Sequence, residues 1–290
     1  MKQLASYLSL VKFSHTVFAL PFAAIGFFIG MRTMDAQLFD LKLAGLVLLC
    51  MVTARNAAMA FNRWADQDID RENPRTTERE IPKGVISSKN ALLFVVINAL
   101  IFLLSAYWIN FLCFLLAPVA LFVVLGYSYT KRFSWLCHVF LGLGLSLAPI
   151  GAYLAVTGHF HWLPVLYSVA VISWVAGFDI IYALQDIQFD QEHQLQSIPA
   201  KFGVSKALWV SSILHLVSAF SILGGAWILY GEFGLTYWMM AGSFCFIGLL
   251  VMQHIIVGKG DLSKINLAFF TTNGVASILL AAGTILDFYY

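Results

Sequence analysis

Two short stretches concentrate the groups that can do chemistry. Residues 62 to 82, NRWADQDIDRENPRTTEREIP, hold six carboxylates and four arginines, and residues 179 to 190, DIIYALQDIQFD, hold Asp179, Asp186 and Asp190. In the first, Asn62, Asp66 and Asp70 recur at every fourth position, the spacing that lines side chains up on one face of a helix. Arg55 lies seven residues earlier on that face. In the second, the spacings of seven and four again predict a single stripe. Carboxylates gathered in this way repel one another and are costly to take out of water. A divalent cation removes that penalty. Mg²⁺ typically takes one or two carboxylates and completes its shell with phosphate oxygens and water, so these residues suit the metal-assisted holding of a diphosphate.

The elements that must position them are set by composition. The chain has 290 residues, is 60% hydrophobic and only 11% charged, and has a mean hydropathy of +0.83, which places it among membrane proteins. About 20 apolar residues cross a bilayer, and nine such runs are present, roughly 16–34, 41–61, 91–109, 111–128, 136–156, 163–184, 207–230, 235–257 and 265–286. The first is long and lacks a small-residue cleavage site, so it reads as a span rather than a secretory signal. Cys50, Cys113, Cys137 and Cys245 lie in or beside apolar runs with no CxxC spacing and read as packing residues. A net charge of +2 offers no basic face for nucleic acid.

Orientation follows from the basic residues. Fourteen of the seventeen lysines and arginines fall on the side of the N-terminus, Arg32 and Lys42 fall on the other, and Arg55 is inside span two. The N-terminus and the acid-rich ends of spans two and six are therefore expected in the cytoplasm. The two acidic regions hold six and, with Glu192 just beyond the second, four of the fifteen acidic residues and arrive at the same rim, where their stripes can face each other. Any one of these acids alone is equally well explained as a solvated helix end. Two stripes on the same side of the membrane are harder to explain that way. The expected architecture is an all-α polytopic bundle of about nine transmembrane helices, two four-helix halves plus a ninth, in a single domain over 1–290. Gly26 and Gly30 form a GxxxG pair suited to close helix packing, and Lys131 with Arg132 can serve as a cytoplasmic anchor.

With these residues in view, the chain resembles the UbiA superfamily of intramembrane prenyltransferases over essentially its whole length. NRWADQDID resembles the first aspartate-rich motif of that family, NxxxDxxxD. RTTEREIP resembles the segment that follows it, with Glu80 where the family more usually has proline. YSYTKR, residues 127 to 132, is similar to a YxxxKR element, DIQFD to the second DxxxD motif, and SIPAKFG to the segment after it. The N-terminal KFSHTVFALPFA is similar to a bacterial branch assigned as 4-hydroxybenzoate polyprenyltransferases, some members of which are thought to serve menaquinone synthesis.

The resemblance implies Mg²⁺-dependent transfer of a polyprenyl group from polyprenyl diphosphate to a small aromatic acid, 4-hydroxybenzoate first among them, in ubiquinone or menaquinone biosynthesis. It implies metal ions on Asp66, Asp70, Asp186 and Asp190, and substrate contacts from Arg55, Asn62, Tyr127, Arg75, Arg79 and Lys131, the last three suited to phosphate oxygens. Arg132 is the first choice for the acceptor's carboxylate, and Asp186 or Asp179 for the phenol. The prenyl tail and membrane lipid meet apolar side chains between helices. The implied location is the bacterial inner membrane, with the active site on the cytoplasmic side. A naphthoate-type acceptor is the nearest alternative. A secondary transporter is the alternative of another class, although its charges would be expected nearer the midplane.

Overall fold

In the computed structural model, residues 2–12, 18–35, 39–234, 237–258 and 271–289 are described. His15, Lys259, Lys264 and the expected start of span nine lie outside them. Every regular element among the described residues is a helix: α1 (Lys2–Leu10), α2 (Leu20–Thr33), α3 (Leu41–Ala65), α4 (Gln67–Glu72), α5 (Ser88–Ile109), α6 (Phe111–Thr130), α7 (Cys137–Thr157), α8 (Trp162–Ala183), a 3-10 turn Leu184–Asp186, α9 (Ile187–Glu192), α10 (Ile198–Phe233), α11 (Tyr237–Gly258) and α12 (Asn273–Leu286). Seven helical segments are long and apolar enough to cross a membrane. α2 and α12 are apolar too but have 14 residues each, about 21 Å at the usual rise. Each of the nine expected apolar runs thus carries one helix.

Helix ends follow local chemistry. Asp40, Ser87 and Ser197 accept hydrogen bonds from the amides of Leu43, Asn90 and Ala200, at 2.9, 3.2 and 3.2 Å, so α3, α5 and α10 each begin on a side-chain cap. α7 ends on Gly158, whose φ of 70° is the left-handed value that glycine adopts without strain. α10 starts well before the expected span 207–230. Gly203, with φ 79° and ψ 168°, interrupts it, so its first turn points independently of the rest.

The chain divides into two compact units. The first comprises residues 1–16 and 40–129. Here α3 packs along α5, with Leu10, Ala57, Ala60, Ile81, Ile86, Ala91 and Val95 buried. The Asn56 side-chain amide donates to Asn98 Oδ1 at 3.2 Å inside this pairing, satisfying polar groups that have no water to turn to.

The second unit comprises residues 17–39 and 130–290. Although first in sequence, α2 packs on α7 and α12. A Cβ added at Gly26 would collide with the Pro149 carbonyl oxygen, so the GxxxG pair does bring two backbones together. α8 is the central helix, with 67% of its apolar window buried against 22% for α5. Trp174 is fully buried beside Phe22 and Phe246. Its indole N–H donates to Asn273 Oδ1 at 2.9 Å, and the Gln253 amide donates to the same oxygen at 2.6 Å.

Candidate active site

The first acidic region lies in the first unit. Its three polar side chains do not continue one helical face. α3 stops at Ala65, and Asp66 leaves helical geometry with φ −96° and ψ 9°. The six-residue α4 follows. Asn62 and Asp66 stay together, the Asn62 amide donating to Asp66 Oδ2 at 3.0 Å. Asp70 turns inward and is 4% exposed. Arg79 Nη1 lies 2.6 Å from Asp70 Oδ1, and Asp70 Oδ2 is buried without a hydrogen-bond partner.

The loop that carries Arg79 is ordered by its own side chains. Asn73 Oδ1 accepts from the Arg75 amide at 2.9 Å, and the Thr76 hydroxyl donates to the Asp70 carbonyl at 3.2 Å. Glu80 accepts a hydrogen bond from Ser9 of α1. The departure from proline at this position thereby ties the loop to the N-terminal helix. Arg75 is exposed. Arg55 is half-buried in α3, with Nη2 3.4 Å from the Lys12 carbonyl oxygen. Tyr127 is half-buried near the end of α6.

The second acidic region lies in the second unit and is broken in the same way. α8 gives way to the 3-10 turn, Asp186 takes φ −107° and ψ 6°, and the six-residue α9 begins. Asp186 is buried, and Asp190 is fully so. Asp190 Oδ1 pairs with Lys131 Nζ at 2.7 Å, and Oδ2 accepts from the Ser197 hydroxyl at 2.9 Å. The Gln196 amide donates to the Lys131 carbonyl at 2.7 Å, so backbone as well as side chain holds Lys131 in place. Burial works against the charge on Lys131, but Asp190, with Asp186 adding to it, holds its pKa above the ordinary lysine value. Arg132, next in sequence, is exposed.

Asp179 does not share this arrangement. Its Oδ2 lies 2.7 Å from Nδ1 of His138, on α7. His138 is 2% exposed and accepts a longer contact, 3.4 Å, from the Ile198 amide. The change of helix type at 184–186 breaks the expected stripe, because the seven-residue register holds only along a continuous α-helix. Sequence reasoning did not find His138: a lone histidine near the start of an apolar run gives no signal of its partner.

No group of three or more acidic, histidine or cysteine side chains is gathered as a ready metal cage among the described residues. Mg²⁺ with phosphate needs no such cage. The buried, unpartnered Asp70 Oδ2 is the kind of hard oxygen that ion prefers. Asp190 has both oxygens engaged, although each carboxylate oxygen carries a further lone pair.

The model of the UbiA prenyltransferase family matches residues 19–275. A protein of Nitrosomonas eutropha named 4-hydroxybenzoate octaprenyltransferase is 30% identical over 83% of this chain and 82% of its own length. One of the same name from Vibrio campbellii is 30% identical over 81% of each. Among solved structures, the apo form of a UbiA homolog from Aeropyrum pernix matches with a TM-score of 0.83 and 32% identity, covering 94% of this chain and 98% of that one. A UbiA homolog from Archaeoglobus fulgidus bound to GPP and Mg²⁺ has a TM-score of 0.73 at 24% identity over 98% and 100% of the two chains, a likeness of fold. With the family model spanning most of its helices and both broken acidic motifs in place, the chain belongs to the UbiA prenyltransferase family.

Proposed function

We propose that this protein transfers a polyprenyl group from polyprenyl diphosphate to 4-hydroxybenzoate, for quinone biosynthesis, on the cytoplasmic face of a bacterial inner membrane. The observation that carries the reading is that each acidic motif ends in a buried carboxylate paired with a cation, Asp70 with Arg79 and Asp190 with Lys131. Acids and bases kept side by side in this way suit a ligand that brings both metal ions and phosphate oxygens. The names of the curated relatives support the acceptor.

In this reading Asp66, Asp70, Asp186 and Asp190 hold Mg²⁺. When bound, Mg²⁺ neutralises the diphosphate and makes it a better leaving group. Arg75, Arg79 and Lys131 take phosphate oxygens, and Lys131 is kept charged for this by Asp190. Asn62 steadies Asp66 through the 3.0 Å bond. The C–O bond to the prenyl group breaks with its electron pair going to the diphosphate, leaving an allylic cation. The phenol ring attacks that cation through carbon and then loses its ring proton. Asp186 or Asp179 accepts the phenol's hydrogen bond, and Arg132 and Arg55 bind on the acceptor side, Arg132 to the carboxylate. Tyr127 lines the substrate. The prenyl tail needs only apolar side chains and lipid.

The test is product identification. Purified protein given Mg²⁺, a prenyl diphosphate and a panel of 4-hydroxybenzoate, the uncarboxylated phenol and a naphthoate should yield prenylated 4-hydroxybenzoate. A product formed from the naphthoate alone would reassign the acceptor, and no prenylated product from any of them would end the reading.

A further inference from the structure

Arg63 sits in the last turn of α3, directly after Asn62, and is 6% exposed. Its Nε is buried with no hydrogen-bond partner. A helix C-terminus favours a cation, yet no backbone carbonyl among the described residues takes a hydrogen bond from this guanidinium. The charged groups that act on it are Arg79, Asp70 and Glu80, with Tyr127. Arg79 pairs with Asp70 Oδ1 and Glu80 accepts from Ser9, and Asp70 Oδ2, itself without a hydrogen-bond partner, does not bond Arg63 Nε. A guanidinium presents five N–H donors in a fixed fork, and burying it unpaired is strongly unfavourable. The described protein groups thus leave Arg63 Nε without a partner.

We propose that Arg63 is a binding residue for the diphosphate of the prenyl donor, acting with Arg79 on the same group of phosphate oxygens. Two guanidiniums near one another repel until an anion joins them. The unpartnered Asp70 Oδ2 in the same neighbourhood needs a cation. A metal-bearing diphosphate supplies both at once, oxyanions for the two arginines and a divalent ion for the aspartate. A single carboxylate, such as that of an aromatic acid, supplies one negative charge and no metal, and leaves Asp70 Oδ2 as it was. Arg63 was read from sequence only as one more basic residue of the cytoplasmic rim. This inference rests on the proposed prenyl transfer, and it adds a contact that the aspartate motif alone does not reveal.

The experiment uses the full chain in detergent, with inorganic diphosphate and Mg²⁺ as the probe, read by calorimetric titration and by thermal unfolding. The variants are Arg63→Met and Arg63→Lys. Arg63→Met should unfold without ligand at the same temperature as the unsubstituted protein or higher, because an unpaired buried charge has been removed. It should also bind Mg²⁺-diphosphate about ten-fold or more weakly, as expected for a lost charge-assisted fork. Arg63→Lys, which keeps the charge but not the fork, should fall between. Unchanged diphosphate affinity in Arg63→Met would overturn the proposal. So would a variant that fails to fold or unfolds earlier, which would make Arg63 a structural residue. Weakened binding of 4-hydroxybenzoate with intact diphosphate affinity would assign Arg63 to the acceptor instead. If the unsubstituted protein bound no Mg²⁺-diphosphate, the proposed reaction would fall first and this inference with it.

Discussion

The two acidic motifs solve the same local problem with different partners. Each breaks its helix at the first aspartate, with nearly equal backbone angles at Asp66 and Asp186, and each continues into a six-residue helix that buries the second. From there they diverge. Asp70 is held by Arg79, nine residues further along the chain in the loop after α4, and keeps one buried oxygen open. Asp190 is held by Lys131, from before α7, and by Ser197: the cation covers Oδ1 as an ion pair rather than as an aligned hydrogen bond, and the hydroxyl donates to Oδ2. The first motif therefore keeps a carboxylate oxygen without a protein partner, whereas the second ties together segments distant in sequence. Loss of an acid should cost mainly function in the first case, and function together with more stability in the second.

Asp190→Ala should have the largest effect. It strands Lys131 and the Ser197 hydroxyl, and removing one member of a buried pair costs about 3–5 kcal/mol. The lower end is expected because the Lys131 side chain is 36% exposed. Both prenyl transfer and the unfolding temperature should fall; an unfolding temperature like that of the unsubstituted protein would remove the structural half of the contrast. Asp70→Asn should lower kcat on the order of 10³-fold, the scale of losing a strong electrostatic contact in a transition state, with a smaller stability loss than Asp190→Ala, because the amide oxygen can still accept from Arg79 whereas alanine strands both Lys131 and Ser197. A stability loss matching that of Asp190→Ala would erase the difference between the motifs.

Smaller effects sharpen the comparison. Arg132 is exposed where its neighbour Lys131 is pinned. Arg132→Ala should raise KM for 4-hydroxybenzoate about ten-fold with kcat little changed, and shrink discrimination against the uncarboxylated phenol. Steady-state kinetics with both substrates varied would check this, and an unchanged preference would return Arg132 to a membrane anchor. Ser197→Ala should cost about 1–2 kcal/mol, from the Asp190 hydrogen bond and the α10 cap together. Denaturant or thermal unfolding would measure it.

Much of this was legible in the sequence, for physical reasons that also mark the limits. Each of the nine apolar runs carries a helix, seven of them long enough among the described residues to cross a membrane, and the aspartate pairs stood out because charge is rare in such a chain. Periodicity alone, however, assumes that the helix continues. It therefore joined Asp66 to Asp70 and Asp179 to Asp186 along stripes that the backbone breaks at Asp66 and at 184–186. Partners on other helices leave no trace in spacing, which is why His138 was missed beside Asp179, and why Ser9 was not foreseen as the partner of Glu80. Arg63 was hidden for another reason. Basic residues at the end of a membrane helix are ordinary, and only burial without a partner sets this one apart.

The central claim is that the open oxygen of Asp70 is a metal ligand for a bound diphosphate. Mn²⁺ can stand in for Mg²⁺, since both favour oxygen ligands, and the loss of its free-ion paramagnetic signal reports binding. The purified protein should take up Mn²⁺ tightly in the presence of inorganic diphosphate, Asp70→Asn should do so at least about ten-fold more weakly, in keeping with a lost carboxylate ligand, and Arg132→Ala should match the unsubstituted protein. Equal Mn²⁺ uptake by Asp70→Asn and the unsubstituted protein would contradict the claim.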